Sequence, residues 1–156
     1  MGMIRIILPI AVIAALLFTP MFSEVTSGSV TGDAVTTRSG NYFVENTIQC
    51  FMDGNFSIAD ECEPKGGLQG KGIFAAVFVS AVAAVLGVLG LIPVIGRLTS
   101  AITVLAGVIV IAAIGFFLLN MMGSQEGLEG VQWGSYLAGG GGLLTLVSGL
   151  SGMRGR

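Results

Sequence analysis

The chain has 156 residues, of which 53% are hydrophobic and 10% charged, with a formal net charge of −2 and no histidine. Its mean hydropathy of +0.90 lies far above that of a soluble domain and points to the bilayer as solvent. No basic patch is available for nucleic acid, and the lack of histidine removes the commonest acid–base group and metal ligand. Two cysteines alone cannot complete a four-ligand zinc site, so neither an enzyme nor a cofactor or metal site is expected.

The first element, residues 1–22, carries Arg5 and then an apolar run from Ile6 to Phe22, long enough to cross a hydrocarbon core of about 30 Å. A positive residue before an apolar run also resembles a signal peptide. However, "FTPMFSEV" offers no A-x-A-like cleavage pair, and Ser27 and Ser29 come late, so an uncleaved first transmembrane helix is expected.

Residues 23–71 form a long polar segment whose first part, to residue 63, is rich in Val, Thr, Tyr and Phe and interrupted by glycine turns, a strand pattern. "RSGN" would turn a strand near Val30–Thr37 into one near Tyr42–Phe51, and "DGN" at Asp53–Asn55 would lead on to "FSIADEC". The expectation is a small antiparallel sheet of about three strands. Cys50 and Cys62 share this segment, and an even count in an oxidising compartment implies a disulfide, contributing about 3 kcal/mol by loop closure. A two-residue turn at Asp53-Gly54 would face Cys50 with Ser57, so the connection must be longer or bulged. "NFS" at Asn55–Ser57 fits a glycosylation acceptor, relevant only in a eukaryotic source.

"GKGIFA", Gly70–Ala75, fits G-x-G-x-x-A, but no acid follows until Glu126, and the residues after it are apolar throughout; it reads as a flexible entry to a second helix. That helix covers 72–92, and the turn "PVIGR" at 93–97 leads to a third over 98–122. A short loop at 123–132 then leads to a fourth helix over 133–153 and a tail at 154–156. No Asp, Glu, Lys or Arg falls inside these spans, which disfavours ion-coupled transport. All nine acids lie in the long segment or the short loop, whereas Arg5, Arg97, Arg154 and Arg156 lie on the other side with none. The positive-inside rule therefore puts both termini in the cytoplasm and residues 23–71 outside, in a plasma membrane or a bacterial inner membrane.

Small residues recur every four along the helices. Ala11, Ala15 and Thr19 do so in the first, and Gly72, Ala76, Ser80 and Ala84 in the second, with Ala83 and Gly87 beside them. Thr103, Gly107 and Gly115 share a stripe in the third. In the fourth, Gly134, Ala138 and Gly142 form one stripe and Ser135 and Gly139 run next to it, through the run "AGGGG". Small residues on one face let helix backbones approach closely in lipid. Two adjacent stripes on one helix suit either two neighbours in the bundle or an outside partner, protein or lipid. Trp133 and Tyr136 stand where an outer aromatic belt is expected.

The layout, with "KGIFAAVFVSAVAAVLGVLG", "AITVLAGVIVIAAIGFFLL" and "WGSYLAGGGGLLTLVSGL" as its later helices, resembles the claudin-like tetraspan superfamily. The family's W-GLW-C-C pattern is absent: "ENTIQ" precedes Cys50, and Trp133 is the single tryptophan. The resemblance implies adhesion or lateral assembly rather than catalysis, with Cys50 and Cys62 bridging the outer loop. The expected fold is an all-α four-helix membrane bundle with a small disulfide-bonded antiparallel β-sheet in the first outer loop. The expected role is structural, through a homo-oligomer or other membrane subunits, with an accessory scaffold of a larger energy-converting complex or a small pore as alternatives.

Overall fold

A proline sets where the first helix stops. In the computed structural model α1 (Ile4–Phe18) is 15 residues long, and Thr19, extended at ψ 149°, leads through Pro20 into a strand, β1 (Pro20–Thr26). The ring of Pro20 crowds the helical conformation of the residue before it, so the turn cannot continue. Met21 and Phe22, expected within the first span, are therefore strand residues. The structure describes residues 3–26, 34–56, 59–89, 96–123 and 127–154. Parts of several expected features lie outside them: residues 30–33 of the expected strand, Ser57 and Ile58 of "FSIADEC" (Ser57 also of "NFS"), 90–92 of the expected second helix, 93–95 of the cytoplasmic turn, 124–126 of the short loop and 155–156 of the tail.

β1 pairs antiparallel with β2 (Ala34–Ser39), with Phe22 opposite Arg38 and Val25 opposite Val35, and an irregularity between Pro20 and Phe22. Among the described residues the sheet has two strands, not the three expected. The stretch expected as the next strand, Tyr42–Phe51, lies within a helix, α2 (Asn41–Met52). Its buried residues, Phe43, Val44 and Thr47, repeat at helical spacing and fall on one face, and that face overrides the strand propensity of the individual residues. "DGN" is the helix stop rather than a hairpin turn. Gly54 takes φ 84°, its N–H donates to the Phe51 carbonyl at 3.1 Å, and the Asn55 N–H donates to the Cys50 carbonyl at 2.8 Å. That is a Schellman closure with glycine in the left-handed position. The expected "FSIADEC" strand is replaced at Asp60–Cys62 by a 3-10 turn.

Cys50 and Cys62 form the disulfide, 12 residues apart with Cα atoms 5.9 Å apart, clasping the last turn of α2 to the 3-10 turn. The Thr47 hydroxyl donates to the Cys62 carbonyl at 2.6 Å inside the clasp.

Three long helices complete the chain: α3 (Leu68–Leu89), α4 (Gly96–Met122) and α5 (Trp133–Arg154). α1 packs on α3 and α5, and α4 packs on the same two, so the four close into a ring. The half of the interior nearer β1 and α2 holds large apolar side chains, Ile73, Val110, Ile114 and Phe117. The far half holds Ser80, Thr99, Ser100, Thr103 and Thr145, all at most 2% exposed. Thr103 donates to the Thr99 carbonyl and Thr145 to the Gly141 carbonyl, so these hydroxyls are satisfied by their own helices. Among the described residues two helices are long and apolar enough to cross a membrane, Leu68–Leu89 and Leu98–Met122. α1 is shorter, about 22 Å at 1.5 Å per residue, and α5 owes its lower apolarity to glycine and serine.

Above the ring, β1, β2 and α2 form a cap. β1 ties it to the segment before α5: the Gln132 N–H and the Ser135 hydroxyl both donate to the Met21 carbonyl, at 2.8 and 2.9 Å. Phe22 also bridges to Val131.

Candidate functional site

The glycines of α5 divide their faces between two neighbours. Against α4, a Cβ at Gly142 would lie 2.8 Å from Val110 Cγ1, and one at Gly149 would lie 2.6 Å from Val104 Cγ2. The seam is reciprocal: a Cβ at Gly107 of α4 would lie 2.6 Å from the Leu146 nitrogen. Each helix thus presents a glycine where the other presents bulk, and the antiparallel axes approach closely. Against α1, a Cβ at Gly141 would meet Val12 Cγ2 at 2.7 Å, and one at Gly134 would run into Thr19 and the Pro20 carbonyl. Gly139 only touches Ile114, at 3.4 Å, and Gly140 faces nothing within 4 Å.

Gly140 is open because a groove of about 610 Å³ runs between α1 and α5 on the outside of the ring. Its lining is almost wholly apolar and includes Ala11, Ala15, Gly140 and Gly141 between Leu8, Leu137 and Leu144, with Tyr136 also on its wall. A smaller groove of about 300 Å³ between α3 and α4 is lined by Gly72, Ala75, Ala112, Ala113 and Phe116, with Lys71 among its residues. Such clefts accept apolar chains or helices, with Tyr136 and Lys71 as their polar side chains.

The cap rests on a chain of rings. Phe22 lies 5.4 Å from Phe43 and 6.1 Å from Phe117 of α4, and Tyr42 contacts both Phe22 and Phe43. Two cations then meet Tyr42: the Arg38 guanidinium carbon at 4.6 Å and Lys65 Nζ at 5.2 Å from its ring centroid. Arg38 Nε approaches a Glu24 carboxylate oxygen at 3.5 Å, an ion-pair separation that does not meet hydrogen-bond geometry. Lys71 pairs with Glu63 at 2.7 Å. Among the described residues no three His, Cys, Asp or Glu side chains converge to hold a metal ion.

The small residues picked out by spacing fall into two groups. Ala76, Ser80, Gly87, Gly107, Gly134, Ala138 and Gly142 are buried, whereas Ala84, Gly115 and Gly139 are half-buried, and nothing lies within 4 Å of a Cβ placed on Gly115. Trp133 and Tyr136 are 55% and 58% exposed in the first turn of α5. The spacing does not single out Gly149, which sits in the α4–α5 seam beyond the stripes noted, nor the Phe22–Tyr42–Phe43–Phe117 cluster. The helical repeat of Phe43, Val44 and Thr47 is the signal that would locate α2 and bring those rings together.

No family model matches the chain, and neither a curated protein nor a solved structure matches it.

Proposed function

We propose that this chain is a non-enzymatic integral membrane protein with a structural role. α1, α3, α4 and α5 cross the bilayer, both termini lie in the cytoplasm, and the disulfide-bonded cap stands outside. The observation that carries the reading is how little of the most apolar surface is covered by protein. The apolar windows of α3 and α4 are only 28% and 39% buried, and Phe78, Val85, Leu105 and Leu119 stand largely exposed around the ring. In water each uncovered square ångström of such surface costs about 25 cal/mol, whereas lipid removes that penalty. The small and hydroxyl-bearing residues in one half of the interior, with large apolar side chains exposed around the outside, suit helices held together by close approach in hydrocarbon.

The role follows from what the helices leave open. Gly134, Gly141, Gly142 and Gly149 are occupied within the ring, and Gly140 faces outward in the α1–α5 groove. That groove is the surface for lateral assembly, with a second copy of this chain as the first partner to test. The interior supports this over a pore, because Ile73, Val110 and Phe117 fill it with at most 1% exposure. The layout that resembles the claudin-like superfamily, with a large first outer loop and a small second one, suits the same role.

Purification in mild detergent is expected to yield a homo-oligomer, and Gly140→Leu, which fills the groove floor without meeting a neighbour, to yield a folded monomer. Co-purification in fixed ratio with larger proteins would make the chain an accessory subunit instead. A wild-type monomer without partners would refute the assembly role.

A further inference from the structure

Two cations of the cap meet at one aromatic ring, and a single ion pair serves them. Arg38 and Lys65 both contact the ring of Tyr42, so their charges lie no further apart than the sum of 4.6 and 5.2 Å. That is about one Debye length at about 0.1 M salt, a range over which like charges still repel. One carboxylate, Glu24, stands beside Arg38 at 3.5 Å. Among the described residues the only other ion pair joins Glu63 to Lys71, so Lys65 has no acid within salt-bridge distance. The acid of α2, Glu45, lines a surface groove with Asn41, Gln49 and Asp53 and is in neither ion pair. The first turn of α2 holds no acidic residue and no side-chain cap, and its dipole adds positive partial charge at the end that begins beside Tyr42.

The depth of the cluster narrows what would neutralise it. Tyr42 is joined through Phe43 to Phe117, in the last two turns of α4, and Lys65 lies three residues before α3 begins at Leu68. With the ring of helices in the bilayer, this level falls in the headgroup zone, roughly 5–8 Å thick on each side of the hydrocarbon. Tyr, Lys and Arg side chains suit that zone, with apolar bodies turned to the protein and polar ends to the headgroups.

We infer that Arg38, Tyr42 and Lys65 form a binding site for a phosphate group at the outer membrane interface. The inference rests on the membrane reading above for its lipid source, while free inorganic phosphate shares the chemistry. Arg38 supplies planar donors, Lys65 a point charge, and Tyr42 holds the two side chains by contact with its ring.

The test uses the full chain in nanodiscs of mixed phosphatidylglycerol and phosphatidylcholine, with bound lipid counted by native mass spectrometry. The wild type is expected to enrich phosphatidylglycerol several-fold, and Lys65→Gln and Arg38→Gln to lose that enrichment. Lys71→Gln, whose cation already has Glu63, is expected to keep it. Lys65→Gln removes no ion pair, so its fold is expected to persist even if Arg38→Gln, which loses Glu24, is damaged. A second arm measures melting temperature with inorganic phosphate. A rise in the wild type that Lys65→Gln abolishes, without lipid preference, would support the site and assign its ligand to solution. Equal lipid preference in wild type and Lys65→Gln, with no phosphate-dependent shift, would overturn the inference. Recovery of the chain in the aqueous phase without detergent would remove the membrane reading, and the phosphate arm would still report on the site.

Discussion

At the scale of single residues, the four consecutive glycines of α5 are not equivalent. Gly142 opposes Val110, Gly141 opposes Val12, Gly139 makes ordinary contact and Gly140 makes none. Adding a methyl group therefore has opposite consequences at neighbouring positions. Gly140→Ala is expected to leave stability unchanged or raise it by up to about 1 kcal/mol, since alanine favours the helix. Gly107→Ala drives a Cβ against the Leu146 backbone, which cannot rotate away, and is expected to cost about 1–3 kcal/mol. Thermal unfolding in detergent compares the two; equal effects would contradict the seam described here. The stripes were legible in the sequence because residues four apart must share a helix face. Which glycine faced which neighbour was not legible, because that depends on the rotation of α5 relative to α1 and α4. Gly149 escaped for a related reason: it lies near the C-terminal end of α5, and its partner, Val104, is itself large and gives no small-residue signal.

At the scale of elements, the cap shows how spacing overrules composition. Asn41–Met52 contains Tyr, Phe, Val, Thr and Ile, residues that favour strands, and yet it is a helix. Its period decides the matter: Phe43, Val44 and Thr47 meet the core together only when the chain coils. The glycine after it reads equally well as a hairpin turn or a helix stop until the period before it is recognised. At φ 84° this glycine closes the helix, and Gly54→Ala is expected to cost about 1 kcal/mol with the disulfide still formed. An unaltered melting temperature would mean that the closure is dispensable. The disulfide itself was legible from two cysteines in a segment placed outside, although its geometry was not, since it joins a helix end to a 3-10 turn instead of two strands. Replacing both cysteines by serine is expected to cost about 3 kcal/mol, read as a lower melting temperature together with faster proteolysis of the cap. Resistance equal to that of the wild type would show that Thr47 and the ring contacts hold the cap without the bridge.

At the scale of the whole molecule, the apolar runs announced the long helices, and the acids announced which loops belong together. The first helix is the exception, because the same run of apolar residues serves two elements. Leu16 lies in α1 and Met21 in β1, both fully buried, and the sequence marks the change only by Pro20. The central proposal is that the ring of helices lies across a bilayer with the cap outside and both ends of the chain inside. The direct measurement places single cysteines at two exposed positions, Thr36→Cys in β2 and Ser151→Cys near the end of α5, in the otherwise native protein. A membrane-impermeant maleimide is then applied to intact cells expressing each variant. Labelling of Thr36→Cys in intact cells, and of Ser151→Cys only after permeabilisation, is the predicted result. Labelling of both in intact cells, or recovery of the protein in the soluble fraction, would contradict it.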